Sequence, residues 1–456
     1  MIGRYEVLVA EEEADDRCIE LEIKFLQEYG HDIAALTPKK REDLVCGFLE
    51  KEGVPTDLLP GYAKYISGYE VLDPLINDDD VEEIMVDGYD SPVLIYHRKK
   101  GKCETNITLK NENHLKKLIG KIKIFCGIKD GGPIIDCVMP EGCRVNLTLP
   151  PVAYGKSFIT IRKYLKDMPT IIDLIKNDTL TLQIASFLWV CVDGFGLAPR
   201  NIVICGSTSS GKTTLLNALL PLFMERERVV SIEDTLELDA HYCSDWVRLK
   251  TSPDTSMEKL VEDSLRLRPD RVIVGEVRGS EAYNLVGAMN LGINGMGTIH
   301  ANSARDVMLR LKSPPMEVDI KMLGVIDLVV VLTRFYESGA SKRKVTYIEE
   351  VGDIHNDTIQ LGTIFEYDAK AKETKISKFP AITIDEISHS TGLTPKDVLA
   401  ELSRREIILK YLVEKDITKG DDFVTIVRAY YESPKDVLNE IKKHISTDRI
   451  KSQWGQ

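Results

Sequence analysis

The sequence has no apolar run long enough to cross a membrane. Its longest uninterrupted apolar stretches are short, for example Ile184–Val192 and Ile326–Leu332, whereas a spanning helix needs about 20 mostly apolar residues. The first residues also lack a basic segment followed by an apolar one, which a secretory signal requires. The pattern therefore predicts a soluble protein, one that can still dock on a membrane machine.

Paired cysteines are also missing. The sequence holds nine cysteines, an odd number, and none forms a Cys-X-X-Cys pair; the two nearest in sequence are Cys137 and Cys143. Metal sites built on cysteine usually show tight paired spacing. The scattered pattern therefore predicts reduced thiols of a cytosolic protein.

The sequence also lacks an excess of positive charge. The formal net charge is −13, and 29% of the residues are charged. Nucleic acids and anionic lipids are held by lysine and arginine side chains that neutralise phosphates. The balance argues against an extended face for either partner, although it is compatible with a local basic patch.

Four segments differ in local pattern along the 456 residues, a length that corresponds to two or three domains. Residues 1–60 are polar with a helical pattern. Residues 61–164 mix short β-branched runs with one helix, which predicts an α+β domain. Residues 165–180 are predicted to be a linker. Residues 181–456 are predicted to form an α/β domain with a helical extension from about residue 380.

Short apolar runs in the last segment predict a parallel sheet whose strands are buried on both faces. These predicted strands are Ile202–Cys205, Val229–Ile232, Val272–Val274, Gly297–Ile299 and Leu328–Leu332. In the helical extension, Thr394-Pro-Lys-Asp397 predicts a capping box with proline at the first helical position, and Ser433-Pro-Lys-Asp436 predicts a second one.

The segment Gly206-Ser-Thr-Ser-Ser-Gly211-Lys212-Thr213 fits the phosphate-loop pattern G-x-x-x-x-G-K-[ST] in full. Its glycines let backbone N–H groups turn toward phosphate oxygens at a helix N-terminus. Lys212 is predicted to neutralise the β- and γ-phosphates of ATP, and the Thr213 hydroxyl to bind Mg²⁺. The residues predicted to contact the nucleotide are Gly206, Ser207, Thr208, Ser209, Ser210, Gly211, Lys212, Thr213, Thr214 and Arg278.

Polar residues follow three of the predicted strands, at the edge where open α/β sheets bind ligands. Glu233 and Asp234 are either turn and capping acids or catalytic acids, and the phosphate loop in the same sheet favours catalysis. Glu276 is predicted to hold Mg²⁺, directly or through water, or to orient the attacking water. His300 is either an ordinary hydrogen-bonding residue or a sensor of the γ-phosphate.

These pieces, in this order, resemble the ATPase superfamily of type II and type IV secretion, type IV pili and the archaellum. Its members carry a Walker A loop, an "Asp box" like Ile232-Glu-Asp-Thr235, an atypical Walker B motif like Val274-Gly-Glu-Val-Arg278 and a "His box" like Gly297-Thr-Ile-His-Ala301. The resemblance covers roughly residues 70–350. Within the superfamily, Leu311-Lys-Ser-Pro-Pro-Met316 and the tail Arg404–Tyr431 most resemble archaeal members such as the archaellum and archaeal pilus motors, and Flp-pilus ATPases are similar over the core.

The resemblance implies a RecA-like motor domain behind an α+β domain, and a homohexameric ring that hydrolyses ATP with Mg²⁺. It also implies that the ring docks on a polytopic membrane protein, at the inner face of the cell membrane, and moves pilin-like subunits or secreted substrates. By motif, Glu276 is the Walker B acid, and Glu233 with Asp234 supplies the Asp-box carboxylates. Arg144 and Arg162 match arginines that reach the γ-phosphate in relatives. The tetracysteine zinc subdomain of many bacterial type II members is absent from the sequence.

Two other classes of protein are compatible with a phosphate loop. A nucleic-acid translocase uses the same fold, but the charge of −13 and the lack of an aromatic–basic stretch argue against it. A scaffold that binds ATP without cleaving it has little use for both Glu233 and Glu276. The sequence therefore favours a motor ATPase, without a nucleic-acid substrate.

Overall fold

A computed structural model describes residues 3–7, 15–34, 36–163, 168–252, 254–337, 340–355, 358–377 and 382–443. The chain divides into two compact units. The N-terminal unit comprises residues 1–166 together with the short segment 338–341, and the C-terminal unit comprises residues 167–337 and 342–456.

The N-terminal unit is a sheet covered by helices. Its strands are β1 Gly3–Tyr5, β2 Val81–Asp87, β3 Pro92–His97, β4 Gly101–Thr108, β5 Ile134–Val138, β6 Arg144–Thr148 and β7 Phe158–Arg162. Its helices are α1 Asp16–Tyr29, α2 Pro38–Lys51, α3 Leu59–Ser67, α4 Asp73–Asn77 and α5 Glu112–Phe125. The strands are ordered β1-β4-β3-β2-β7-β6-β5 across the sheet.

The first helices share the core of this sheet. Phe25 of α1 and Phe48 of α2 are buried in one apolar cluster with Ile84 of β2 and Ile161 of β7. An amphipathic helix must bury its apolar stripe against another element, and here the sheet with its helices provides that surface. Residues 1–60 therefore contribute to the core of the α+β unit, and β1 adds a parallel edge strand beside β4.

The C-terminal unit is larger and alternates strands with helices. Its strands are β8 Ile202–Gly206, β9 Arg228–Glu233, β10 Asp245–Lys250, β11 Arg271–Val277, β12 Asn294–Ile299, β13 Leu328–Glu337, β14 Ala340–His355, β15 Thr358–Asp368 and β16 Glu373–Ile376. Its helices are α6 Ile171–Lys176, α7 Leu182–Asp193, α8 Lys212–Leu219, α9 Met257–Ser264, α10 Glu281–Asn290, α11 Ala304–Lys312, α12 Ile382–Thr391, α13 Pro395–Glu414, α14 Gly420–Glu432 and α15 Pro434–Lys442.

The sheet of this unit runs β10-β9-β11-β12-β8-β13-β14-β15-β16, so β8 is the central strand of nine. The neighbouring strands from β10 to β13 pair in parallel. The strands from β14 to β16 pair antiparallel. One strand, β12, separates β8 from β11. The five strands predicted from apolar runs are confirmed as β8, β9, β11, β12 and β13, and with them the predicted α/β, RecA-like fold.

Two predictions about helices need correction. The helix α6 lies inside the predicted linker; its Ile171 and Ile172 are fully buried, and Thr170 and Asp173 form a capping box. Residues 165–167 of that linker lie outside the described residues. The second box predicted in the C-terminal extension is incomplete, because the Ser433 hydroxyl donates to the Asp436 carboxylate and caps no backbone N–H. The box at Thr394 and Asp397 is complete, as predicted.

Candidate active site

The phosphate loop joins the central strand β8 to the first turn of α8. Gly206 must be glycine because a Cβ there would lie 2.4 Å from the backbone oxygen of Leu332 on β13. Gly211 caps α8 with φ +97°, a left-handed conformation that disfavours other residues. Ser207, Thr208 and Ser209 are exposed at the loop tip, and Thr213 and Thr214 are half-buried in the first helical turn. The loop thus presents hydroxyls and backbone N–H groups at a helix N-terminus.

Lys212 is buried beneath this loop. Its Nζ donates to the backbone oxygens of Gly206 and Ser207, each at 3.1 Å, and approaches Nδ1 of His300 at 3.3 Å. Because an ammonium can only donate, Nδ1 accepts and the neutral ring carries its proton on Nε2. Burial and the positive charge of Lys212 lower the pKa of His300, which favours that neutral ring. The structure therefore brings together Lys212 and His300, two residues predicted separately.

Glu276 lies next to the same histidine. Nε2 of His300 is 2.8 Å from Oε1 of Glu276, although its N–H is not aligned for a hydrogen bond, and this buried oxygen accepts none from the described residues. The other carboxylate oxygen accepts a hydrogen bond from Arg278. Partial burial by itself raises the pKa of Glu276, but the hydrogen bond and charge of Arg278 outweigh it and hold the pKa below its ordinary value. Glu276 is therefore a carboxylate at neutral pH.

A bulge gives Glu276 its direction. The pairing of β11 with β12 shifts register between Val274 and Val277, so the two intervening residues have no regular partner. Bulges re-aim side chains and are common beside active sites. At the first of these positions, Gly275, a Cβ would come within 3.0 Å of Cγ of Glu233. A side chain at this position, where a Walker B motif commonly has aspartate, would therefore crowd Glu233.

The two Asp-box carboxylates have different surroundings. Glu233 is buried, and its Oε1 accepts hydrogen bonds from the backbone N–H groups of Glu237 and Leu238, at 2.6 and 2.8 Å. Burial raises its pKa to about 7. Asp234 is exposed, and its Oδ1 accepts from the Thr251 hydroxyl at 3.0 Å. Glu233 therefore organises the turn after β9, while Asp234 is the acid of this pair that faces solvent.

Arg144 and Arg162 belong to the N-terminal unit, whereas the phosphate loop belongs to the C-terminal unit. They sit on β6 and β7 as direct cross-strand partners, both at least partly exposed. Neither forms an ion pair with any residue that the structure describes. Like charges directly opposite one another destabilise a sheet. Arg162 also lies directly across from Glu83 of β2 on its other side, and the structure describes no ion pair between the two. The pair of arginines therefore has donors available to bind an anion.

The donors present fit a magnesium ion held together with phosphates. Among the described residues, no group of three or more His, Cys, Asp or Glu side chains is placed to hold a metal. Mg²⁺ needs fewer protein ligands, because it usually keeps waters and takes one or two carboxylates plus substrate phosphates. Thr213 on α8 and Oε1 of Glu276, which accepts no hydrogen bond from the described residues, offer the oxygens for that role.

One contact at the loop was not predicted. Nε of Arg343 on β14 donates to the backbone oxygen of Ser209 at 3.1 Å. The two residues are 134 positions apart in the sequence. Nothing in the local pattern around Arg343 marks it as a neighbour of the loop, since only the sheet order brings them together.

Comparison with known proteins agrees with these elements. The family described as Type II/IV secretion system protein matches residues 73–357. The chain belongs to the type II/IV secretion system protein family. The resemblance noted from the motifs is thereby confirmed.

Three relatives show how far this secretion-family similarity extends. An uncharacterized protein of Methanocaldococcus jannaschii is 42% identical over 236 residues, covering 49% of this chain and 32% of the relative. The conjugal transfer protein TrbB of Rhizobium radiobacter is 34% identical, over 52% of this chain and 74% of the relative. The type IV secretion system protein PtlH of Bordetella pertussis is 30% identical, over 60% and 92%. The chain thus spans about a third of the first relative and most of the other two.

Within the described residues, no helix combines the length and the apolar character that crossing a bilayer demands.

Proposed function

We propose that this chain is an ATPase that converts ATP hydrolysis into mechanical work for a secretion or filament-assembly machine. One observation supports it above the others: Lys212 of a complete phosphate loop and the ionised Glu276 meet across the neutral ring of His300. A cation for the phosphates and a carboxylate for the metal or the water are the parts that phosphoryl transfer requires.

Each residue has a distinct role in this proposal. The backbone N–H groups of the loop and Lys212 bind the β- and γ-phosphates. Thr213 and Glu276 hold Mg²⁺, which neutralises charge that develops on the phosphate oxygens. His300 contacts both Lys212 and Glu276, so it is placed to respond when either changes its partner. Arg278 fixes one oxygen of Glu276, which keeps the other directed toward His300.

The assembly in this proposal is a homohexameric ring at the inner face of the cell membrane. The ring docks on a polytopic membrane protein and drives pilin-like subunits or secreted substrates. The support is family membership and the name of the relative PtlH, a type IV secretion system protein. The resemblance of the sequence to archaeal motors favours a pilus or an archaellum as the machine. A single species of hexamer mass in light scattering with a non-hydrolysable ATP analogue is the expected result.

A nucleic-acid translocase is the second candidate. The relative TrbB is named a conjugal transfer protein, which favours it, while the net charge of −13 argues against it. The two candidates differ in one measurement. Stimulation of ATP hydrolysis by DNA supports the translocase, and hydrolysis indifferent to DNA supports the secretion motor.

Two substitutions test the ATPase. Lys212→Ala should abolish hydrolysis and weaken ATP binding, because it removes the cation under the loop. Glu276→Gln should keep ATP binding and lose most turnover, because the loop contacts remain while the charge that serves Mg²⁺ or water is gone. Phosphate release and equilibrium nucleotide binding are the measurements. Normal turnover of Lys212→Ala would refute the function, and equal loss of binding in both variants would make Glu276 structural.

A further inference from the structure

The tip of the phosphate loop holds a residue in an unfavourable backbone conformation. Ser209 has φ +61°, in the left-handed region. For a residue other than glycine this region costs on the order of 1–2 kcal/mol, because Cβ approaches the following carbonyl. Such residues persist when their surroundings hold them, and they concentrate at ligand-binding sites.

Arg343 is the neighbour that holds this tip. Its Nε donates to the backbone oxygen of Ser209 at 3.1 Å. Its aliphatic part packs over the other end of the tip, since Cδ would lie 3.3 Å from a Cβ built on Gly211. The side chain therefore spans the loop from Ser209 to Gly211, the two positions at its tip with positive φ.

The base of this side chain is well anchored. Arg343 lies on β14, which borders β13 in the sheet, and β13 pairs in parallel with β8, with Leu332 beside Gly206. The adjacent Lys344 is buried and bound to Asp178 at 2.7 Å. The arginine thus reaches the loop from a strand that is fixed on the same sheet.

We propose that Arg343 is a positioning residue that holds the phosphate loop in its nucleotide-binding conformation through the carbonyl of Ser209. This inference rests on the proposed ATPase function. Because Arg343 acts on the loop and not on one phosphate, its loss weakens the binding of ADP and of an ATP analogue alike. At saturating ATP the hydrolysis rate stays within about twofold, because the residues predicted to serve catalysis remain.

The main variant is Arg343→Met, which keeps much of the aliphatic stem and removes the donor. A hydrogen bond from a charged donor is worth enough to change binding by about tenfold, so we expect both nucleotides to bind about tenfold more weakly. Arg343→Lys, which retains the positive charge, should lose less. Arg404→Met is the matched control, because Arg404 is half-exposed on α13 and contacts only Glu401 among the ion pairs of the described chain.

A double variant tests the mechanism itself. Glycine adopts positive φ without steric cost, so Ser209→Gly should restore part of the affinity that Arg343→Met loses. Calorimetric titration of wild type, the two single variants and the double variant gives the four affinities of the cycle for ADP, and four more for a non-hydrolysable ATP analogue. Unchanged affinity of Arg343→Met, a loss confined to the ATP analogue, or strictly additive losses in the double variant would each overturn the inference. Lys212→Ala, measured alongside, reports separately on the ATPase function: if it alone loses affinity, only the role of Arg343 fails.

Discussion

Charged side chains lie inside both units, but they are arranged differently. In the N-terminal unit Glu22 and Lys121 are fully buried and lie 2.6 Å apart, and the second carboxylate oxygen of Glu22 lies 2.5 Å from Lys117. Among the described residues, the buried Oγ of Ser210 beside the phosphate loop has no hydrogen-bond partner, and Oε2 of Glu233 has an ion pair with Arg248 at 3.7 Å but no hydrogen bond. Buried polar atoms are almost always paired within a protein. The unpaired Ser210 hydroxyl beside the phosphate loop therefore suits a ligand. The carboxylates of Glu22 and Glu70 form a closed set with Lys117 and Lys121, because protein cations neutralise their charges.

The closed set connects several helices of the N-terminal unit. Lys121 also donates to the backbone oxygen of Tyr65 at 2.6 Å, and Lys117 lies 3.2 Å from Glu70. Burial by itself raises the pKa of Glu70, but the hydrogen bond from His114 and the two lysines outweigh it and lower the pKa to about 2. Glu22 lies on α1 and pairs with two lysines of α5. This network gives residues 1–60 a structural role, because they supply the buried carboxylate that neutralises those lysines.

The arginine pair gives the largest expected effect. If Arg144 and Arg162 bind the γ-phosphate, replacing either with alanine should slow hydrolysis by a factor on the order of 10³–10⁵. ADP affinity should change little, because ADP lacks that phosphate. Thermal unfolding of Arg144→Ala should be unaffected or slightly improved, since the two like charges oppose each other across the strands. Arg162→Ala should be close to neutral, because it also removes the opposite charge across from Glu83. Arg98→Ala, at an exposed ion pair with Glu82, is the control. Normal turnover in both variants would place these arginines outside the reaction.

Breaking the closed set should act on stability and not on the reaction. Lys121→Met leaves the buried Glu22 with Lys117 as its remaining cation. The loss of unfolding free energy should therefore be smaller than the about 3–5 kcal/mol that removing one partner of an isolated buried pair costs. Adding Glu22→Gln should recover much of that loss. Denaturant unfolding measures both variants, and Lys116→Met, at an exposed pair on the same helix, should change little. A stable Lys121→Met variant would show that the network contributes no stability.

Replacing Glu233 should give the smallest of the expected effects, a change in stability that depends on pH. Its folded pKa of about 7 lies above the ordinary glutamate value, so the folded state binds the proton more tightly than the unfolded chain. Its contribution to stability is therefore complete below the unfolded pKa and is lost as pH rises through about 7. The difference in unfolding temperature between wild type and Glu233→Gln should shift in favour of the variant between pH 5 and pH 8. Parallel curves would mean that Glu233 is ionised throughout this range.

The predictable parts of the site are those formed by residues that are consecutive in the sequence. Gly206–Thr213 needs only its neighbouring strand and helix to be recognised. The strands β8, β9, β11, β12 and β13 contain apolar runs because both faces are covered, whereas the edge strand β10 carries charged residues and was missed. The strands β14–β16 were missed because charged residues interrupt their alternation, as in the segment around Arg343. That arginine reaches Ser209 only through the order of strands in the sheet. The two Asp-box acids are adjacent in sequence, and only burial separates their roles.

The central position of β8 has a mechanical consequence. Four strands flank it on each side, so the backbone that carries the phosphate loop is the part of the sheet farthest from either edge. Edges fray first and open with the least free energy, whereas a central buried strand opens only with the whole unit. A force transmitted through this unit would therefore deform the edges of the sheet while the loop kept its geometry. Bending of the outer strands of this sheet would therefore leave the geometry of the nucleotide-binding loop unchanged.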